Sequence, residues 1–168
     1  MSSANFWRMQ VPDRFAGIGS LALRLWVGQE FLVAGLTKLK GGAAAPEWFA
    51  GLDFPFPQNL LGPDLNWLLA GVGETVLAIA LLLGIGSRIA ALGLMYITFI
   101  AVWTVHFDLR WQGWNQIETE QGLGFKLPLM LAVMLLAILT QGAGRYSLDA
   151  WLGRRRRVRN PFGRKPAA

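Results

Sequence analysis

Long runs without a charged residue are the feature that most constrains the fold of this chain. Ile89–Phe107 and Leu127–Gly144 contain no Asp, Glu, Lys or Arg, and runs of this length match the roughly 20 apolar residues that cross a bilayer core. Two further apolar runs are interrupted only by isolated charges. Charged residues make up 15% of the chain, against roughly 25% in an ordinary soluble domain. These features predict a membrane protein.

Four membrane-spanning helices are predicted, and the fold class is an all-α, integral membrane four-helix bundle. The predicted spans are about 15–37, 65–85, 87–107 and 125–143. The predicted organisation is a cytoplasmic segment over 1–14, a transmembrane domain over 15–152 and a basic cytoplasmic tail over 153–168. Arg24 and Glu30 interrupt the first span, unlike the uninterrupted core of a signal peptide, so a helix of the mature protein is expected there.

The positions of the basic residues predict how the bundle lies in the membrane. Cytoplasmic segments next to membrane spans are enriched in Lys and Arg. One side of the predicted bundle carries Arg8, Arg14, Arg88, Arg145, Arg154, Arg155, Arg156, Arg157, Arg159, Arg164 and Lys165. The opposite loops carry Lys38, Lys40, Arg110 and Lys126 together with most of the acids. Both termini are therefore expected on the cytoplasmic side of a bacterial inner membrane. The basic tail is expected to attract anionic lipids, and no nucleic-acid partner is predicted.

The aromatic residues predict two membrane boundaries. Tryptophan is enriched where a membrane protein meets the lipid head groups. Trp48, Trp67, Trp103, Trp111 and Trp114 are expected at the outer boundary, with Trp7 and Trp151 at the inner one. Because Trp111 and Trp114 are three residues apart, they are expected to share one face of a helical turn. The loops are expected to form a cap over the outer end of the bundle.

Three ionisable residues fall at membrane depth, where a charge is costly and normally has an internal partner. Arg24 and Glu74 are each predicted near the middle of an antiparallel helix, so an intramembrane ion pair between them is expected. Such a pair either locks two helices together or takes part in function, and both interpretations stay open. For Glu30, the candidate partners are His106, Lys38 and Lys126, which together form a candidate proton or ligand site.

The chain offers few groups for catalysis by itself. It has no cysteine and a single histidine, His106, whereas a zinc site needs about three or four protein ligands. No metal site is therefore predicted. Met130 and Met134 share one helix face and suit copper(I), but such pairs are far more often packing residues, so copper is not expected. No self-contained active site is predicted, since no nucleophile with its base, phosphate loop or dinucleotide motif is visible.

The closing segment of the domain has a local physical interpretation. Gly142 and Gly144 permit a cap at the end of the fourth helix. Ser147 is expected to cap the start of a short amphipathic helix that runs through Trp151 towards the arginines. This helix is predicted to lie on the inner leaflet.

The order of these features resembles the DoxX family of small four-helix membrane proteins. The residues that carry the resemblance are Arg24-Leu25, Gly28, Phe31, Gly35, Lys38-Leu39, Glu74, Leu83-Gly84, Arg88 and the motif Gly142, Ala143, Gly144, Arg145, Tyr146, Ser147, Leu148 and Asp149. The resemblance covers residues 15–152. Within the family, Thr104-Val105-His106-Phe107-Asp108 with Trp111, Trp114 and Lys126 is similar to the HvfX-like branch, which is encoded beside copper-binding peptide maturation proteins.

The resemblance implies a membrane subunit or partner of a redox or metal-handling system. Some relatives are small subunits of a thiosulfate:quinone oxidoreductase, so the alternative is a quinone-linked oxidoreductase subunit with Glu30, Glu74 and His106 as proton-handling candidates. A further alternative is a small transporter gated by an Arg24–Glu74 pair. Because the chain has no thiol, bound quinone or a partner protein would have to supply redox chemistry. The expected partners are the bilayer, a membrane or periplasmic protein and a second copy of the chain.

Overall fold

Four long helices form the frame of the structure, a computed structural model that describes residues 17–159. They are α1 (Ile18–Lys40), α3 (Pro63–Leu83), α4 (Ser87–Thr104) and α5 (Lys126–Gln141). Two shorter helices, α2 (Glu47–Ala50) and α6 (Leu148–Arg159), lie in the first long loop and after α5. The predicted segment 1–14 with Trp7, Arg8 and Arg14, and the end of the tail with Arg164 and Lys165, lie outside the described residues.

Glycine and proline set the ends of the helices. Pro63 is the first residue of α3, where a missing N–H costs no helical hydrogen bond. Gly84 and Gly86 adopt left-handed backbone conformations, with φ of 72° and 54°, which an L side chain rarely adopts. They form the tight turn between α3 and α4. Gly142 ends α5 and is also left-handed, with φ of 82°.

Small residues set the register of the antiparallel α1–α3 pair. A Cβ added at Gly35 would lie 2.5 Å from Thr75 Oγ1 and 2.7 Å from the Thr75 backbone nitrogen. A Cβ added at Gly28 would lie 2.6 Å from Leu82 Cγ. Gly35 therefore needs glycine for the close backbone approach, whereas Gly28 makes room for the Leu82 side chain. Their contacts place the beginning of α1 beside the end of α3.

Apolar residues occupy both the interior and the outward faces of the bundle. The core contains Val27, Phe31, Ala78, Leu81, Ala90, Ala91, Leu94, Leu135 and Ile138. By length and composition, α3 and α4 are long and apolar enough to cross a membrane, whereas α5 is apolar but shorter. Only 33% and 28% of the residues in the apolar stretches of α3 and α4 are buried inside the protein. Much of their apolar surface therefore faces outward, as lipid contact requires.

The loops gather at one end of the bundle, which we call the loop end. They contain α2, 3₁₀ turns at Gln58–Leu60 and Arg110–Asn115, and two short antiparallel strands, β1 (Glu118–Thr119) and β2 (Gly122–Leu123). The two strands correct the all-α prediction locally. The Thr119 hydroxyl closes the turn between them, since it donates to the Gly122 carbonyl and accepts from the Gln121 N–H, each at 3.2 Å. The opposite end, with the start of α1, the α3–α4 turn and α6, is called the terminal end.

The predicted tryptophan positions divide into exposed and buried residues. Trp111 and Trp114 lie in one 3₁₀ turn and are 77% and 58% exposed, in agreement with the predicted helical turn. Trp67 is buried beneath Trp48 and Phe49. Unlike the other tryptophans predicted at the outer boundary, Trp67 therefore does not face outward, because the first loop folds back over it.

Candidate functional site

Arg24 is the most deeply buried charged residue that the structure describes, with no exposed surface. Its Nη1 donates to the carbonyl oxygens of Leu81 and Leu82 at 3.3 and 3.4 Å, and its Nη2 donates to the carbonyl oxygen of Tyr146. Carbonyls in the last turn of a helix carry partial negative charge, and that of Leu81 also accepts a hydrogen bond of 3.1 Å from the Gly84 N–H. Arg24 therefore joins α1 to the end of α3 and to the segment that follows α5.

The closing motif surrounds this arginine and fastens the terminal end. The Asp149 N–H donates to the Gly84 carbonyl at 3.1 Å, and the Gly86 N–H donates to Asp149 Oδ2 at 2.8 Å. The Ser147 hydroxyl accepts a hydrogen bond of 3.1 Å from the Ala150 N–H, as a helix cap does. The predicted cap at the start of α6 is thus present. We call Gly84, Gly86, Ser147 and Asp149, together with Arg24, the latch.

The remaining glycines of the closing motif lie against the start of α1. Gly142 accepts a hydrogen bond of 3.0 Å at its carbonyl from the Ser20 hydroxyl. A Cβ added at Gly144, where φ is 73°, would lie 3.0 Å from the Ser20 side chain. A Cβ added at Gly17 would lie 3.1 Å from the backbone nitrogen of Arg145. The family motif therefore brings the chain after α5 into direct contact with α1.

The predicted ion pair between Arg24 and Glu74 does not form. The α1–α3 register places Arg24 at the end of α3, and Glu74 lies ten residues before Gly84 on that helix. A separation of this length corresponds to about 15 Å along a helix axis. Arg24 binds backbone carbonyls instead of Glu74, and Glu74 binds Lys38 instead of Arg24. A gate made from an Arg24–Glu74 pair is therefore absent.

Glu74 pairs with Lys38, near the loop end. Lys38 Nζ lies 2.8 Å from Glu74 Oε2 and 3.1 Å from Oε1, so the ammonium donates to both carboxylate oxygens. The Lys38 side chain is 22% exposed and that of Glu74 is 8% exposed. A Cβ added at Gly71 would lie 3.2 Å from Lys38 Cβ. The absence of a side chain at Gly71 thus allows the lysine to lie along α3 and reach Glu74.

An aromatic cluster covers the Lys38–Glu74 pair on the loop side. Lys38 Nζ lies 6.0 Å from the centre of the Trp67 ring, a distance at which a cation still interacts with an aromatic face. The Trp67 ring packs against Phe49 at 5.0 Å and Trp48 at 6.1 Å between centroids. Trp67 Nε1 is buried and has no hydrogen-bond partner. The cluster thus leaves one unused donor beside an ion pair in apolar surroundings.

Glu30 lies apart from both buried charge sites. It is exposed, and within residues 17–159 it has no hydrogen bond or ion pair. Of its candidate partners, Lys38 is paired with Glu74 instead. The candidate site of Glu30 with His106, Lys38 and Lys126 is therefore not assembled, because Glu30 lies on the outward side of α1 while Lys38 points towards α3.

His106 belongs to the loop that follows α4. Burial lowers the pKa of His106, while the Gly124 backbone hydrogen bond and the charge of Asp108 oppose this shift. His106 Nδ1 is buried and has no hydrogen-bond partner.

Lys126 is the first residue of α5, and its N–H donates to the Gln116 carbonyl at 3.1 Å. Within the described part of the chain, no three His, Cys, Asp or Glu side chains come together as a metal site would require.

Sequence reasoning missed both partners of the buried charges. The usable signal was the register of small residues: placing Gly35 of α1 against Thr75 of α3, and Gly71 of α3 against Lys38 and Leu39, brings Lys38 rather than Arg24 close to the level of Glu74. The positions of Arg24 and Glu74 within their predicted spans could not reveal this register. The carbonyl partners of Arg24 have no side-chain signature, so the sequence carried no direct signal for them.

Comparison with known proteins supports a single family. The family model for DoxX matches residues 19–107. The chain is also 38% identical over 136 residues to an uncharacterized protein of Haemophilus influenzae, across 80% of this chain and 83% of that protein. No solved structure matches the chain at a significant level. With its outward-facing apolar helices, the chain belongs to the DoxX family of membrane proteins.

Proposed function

We propose that the chain crosses a bacterial inner membrane four times and serves as a membrane subunit or partner of a redox or metal-handling system. The observation that carries this proposal is the use of the buried charges. Arg24 and Glu74 both hold helices together, one through backbone carbonyls and one through Lys38. Such an arrangement suits a rigid scaffold better than a reaction centre that works alone.

The exposed surface supports insertion of all four long helices. Large apolar side chains point outward from all four, with Val33 of α1 64%, Val76 of α3 57%, Leu92 of α4 58% and Val133 of α5 59% exposed. The 16 residues of α5 rise about 24 Å, somewhat less than a typical hydrocarbon core of about 30 Å. Local thinning of the bilayer accommodates such a difference. The proposed membrane domain covers residues 15–152, followed by the basic tail over 153–168.

The charge distribution supports termini in the cytoplasm. The terminal end carries Arg88 in the α3–α4 turn, Arg145 after α5 and the arginine run in α6. Segments of this composition stay on the cytoplasmic side of a membrane. The loop end then faces the periplasm, and α6 lies beside the anionic head groups of the inner leaflet.

The loop end supports contact with a partner protein. Trp48, Phe56, Trp111 and Trp114 are 59%, 76%, 77% and 58% exposed there. Exposed aromatic side chains suit both a membrane boundary and the centre of a protein interface. Trp111 and Trp114 are the better candidates for a partner contact, because their 3₁₀ turn is held by hydrogen bonds such as that between Gln116 N–H and the Gly113 carbonyl at 3.1 Å.

Affinity purification from native membranes tests the partner role. A tagged chain, extracted in mild detergent, is expected to retain one or more specific proteins that an untagged strain does not yield. The double substitution Trp111→Ala and Trp114→Ala is expected to release them. Trp103→Ala is the matched control, since Trp103 is 55% exposed but lies on α4. Recovery of the chain alone, or equal loss in the control, would contradict the proposal.

A quinone-linked oxidoreductase subunit is the second candidate, and the unpartnered Trp67 Nε1 favours it. A quinone carbonyl oxygen could accept a hydrogen bond from this indole N–H, beside the Lys38–Glu74 pair. Bound quinone, when present, would supply the electron-transfer chemistry. Solvent extraction of purified protein should then yield quinone from the wild type and less from Trp67→Phe, which keeps an aromatic ring but lacks the donor. No quinone in the wild type would reject this candidate.

A further inference from the structure

The outward side of α1 differs from the outward sides of the other long helices. Its exposed residues recur at spacings of three and four, which places them on one face of the helix. On this outward side, which also exposes Leu25 and Leu36, we call the part around Glu30 the α1 outer face: Ala22, Trp26, Gln29, Glu30, Val33 and Thr37. Trp26 and Val33 are 59% and 64% exposed. Near its middle, the face presents an amide and a carboxylate side by side.

The carboxylate of Glu30 is the unexplained group on this face. Glu30 lies near the middle of α1, and no described residue donates a hydrogen bond to it or forms an ion pair with it. If α1 crosses the membrane, as proposed above, Glu30 faces the hydrocarbon core. Ionisable groups at that depth almost always face protein or a water-filled cavity, since hydrocarbon cannot solvate them. Another polypeptide is therefore expected to cover the α1 outer face.

We infer that a second copy of this chain covers the α1 outer face, with Gln29 of each copy donating a hydrogen bond to Glu30 of the other. A two-fold interface uses the same patch twice, so the patch must contain both the donor and the acceptor. Gln29 and Glu30 satisfy this requirement as neighbours on one face. Hydrogen bonds between helices in a membrane contribute roughly 0.6–2 kcal/mol each.

The rest of the α1 outer face fits a helix–helix contact. Ala22, Val33 and Thr37 carry small or short side chains above and below the polar pair, and small residues let helices approach closely in lipid. The Thr37 hydroxyl already donates to the Val33 carbonyl at 2.8 Å, so it needs no donor or acceptor from the partner. Trp26 projects at the edge and can pack against the partner helix.

The chain has no cysteine, so single cysteines can report this contact without background. Oxidation of native membranes containing Val33→Cys is expected to give a cross-linked species of about twice the 18.5 kDa monomer. Leu92→Cys is the matched control, because Leu92 is 58% exposed but lies on α4. Adding Glu30→Leu to Val33→Cys should reduce cross-linking at least threefold, while Glu30→Gln retains more of it. Equal cross-linking at both cysteines, or a product of another mass, would overturn the inference.

This inference rests on the proposed membrane insertion of α1, and a labelling experiment separates the two. Val33→Cys is expected to resist a membrane-impermeant maleimide and to react after detergent treatment. Reaction in intact spheroplasts would instead show that α1 is not embedded, and the membrane proposal would fail. Protection from the reagent without any dimer on oxidation would leave insertion intact and would reject the second copy as the occupant.

Discussion

The two ends of the bundle hold a buried charge in different ways. At the terminal end, Arg24 has no exposed surface and donates to backbone carbonyls of Leu81, Leu82 and Tyr146. Closer to the loop end, Glu74 at the middle of α3 forms an ion pair with Lys38, whose side chain is 22% exposed. A charge held by helix-end carbonyls needs no acidic partner. Opposite charges at a similar expected depth therefore do not have to meet.

The two ends also differ in what surrounds the charge. The latch is built from backbone groups and short side chains, such as Ser147 and Asp149, that connect three helices. The Lys38–Glu74 pair instead lies beneath aromatic rings and next to an unused indole donor. Both ends keep buried polar atoms without a hydrogen-bond partner among the described residues, Arg24 Nε and Ser87 Oγ at the terminal end and Trp67 Nε1 and His106 Nδ1 towards the loop end, but only at the loop end does such an atom lie in an aromatic cluster.

The largest effect is expected from removing the guanidinium of the latch. Arg24→Met removes a donor from the Leu81, Leu82 and Tyr146 carbonyls, of which Leu81 still accepts from the Gly84 N–H, and should lower the free energy of unfolding by about 3 kcal/mol or more. Arg88→Met is the control, because Arg88 is exposed and makes one hydrogen bond of 3.3 Å, to the Thr140 carbonyl. Denaturation of purified protein in mixed micelles measures both variants. Equal losses of unfolding free energy in Arg24→Met and Arg88→Met would contradict a special stabilising role for Arg24 in the latch.

A smaller loss is expected when the loop-end pair is broken. Lys38→Met leaves the buried Glu74 carboxylate without its cation and should cost about 2–3 kcal/mol, less than a fully buried pair because Lys38 is partly exposed. Lys40→Met provides a matched control two residues away on an exposed position. The same micelle titration reports both changes. Unchanged stability in Lys38→Met would show that the pair contributes nothing to folding.

Adding a methyl group at Gly35 or at Gly28 should lower the stability of the α1–α3 contact by different amounts. Gly35→Ala forces a Cβ against the Thr75 backbone nitrogen, 2.7 Å away, and should cost about 1–3 kcal/mol. At Gly28 the obstacle is the Leu82 side chain, which can change rotamer, so Gly28→Ala should cost less. Thermal unfolding in detergent ranks the two variants. The reverse order would contradict the α1–α3 register.

The smallest effect concerns pH at the loop end. Because burial lowers the pKa of His106 from its ordinary value of 6.5, the folded state favours the neutral imidazole. The stabilising contribution is therefore present above that ordinary value and is lost as pH falls through the lowered pKa. Melting temperatures between about pH 7.5 and 5 should fall more for the wild type than for His106→Gln. Identical pH profiles would exclude this contribution.

The helices could be predicted from the sequence, whereas the charge partners could not. Long apolar runs define α3, α4 and α5, and Gly142 with Ser147 marks where α5 ends and α6 begins. Such signals depend only on residues close in sequence, so they predict helix bounds without knowledge of the tertiary fold. The partners of Arg24 and Glu74 depend on the register between α1 and α3, which packing at Gly28 and Gly35 determines.

Two other features could not be predicted from the sequence, because they also depend on how distant segments pack. The burial of Trp67 depends on the loop containing Trp48 and Phe49 folding back over the bundle. The outward position of Glu30 depends on which side of α1 packs against α3 and α5. The pattern of charges marked Glu30 as unusual, but only the packed bundle shows that its side chain is exposed and has no partner among residues 17–159.

Paired double-mutant cycles that share Glu74→Gln test the central claim most directly. One cycle combines Glu74→Gln with Lys38→Met, and the other combines it with the mild change Arg24→Lys. The first cycle is expected to give a coupling energy of about 1–3 kcal/mol, and the second should be additive within about 0.5 kcal/mol. Strong coupling of Glu74 to Arg24, with additivity between Glu74 and Lys38, would contradict the two separate charge sites.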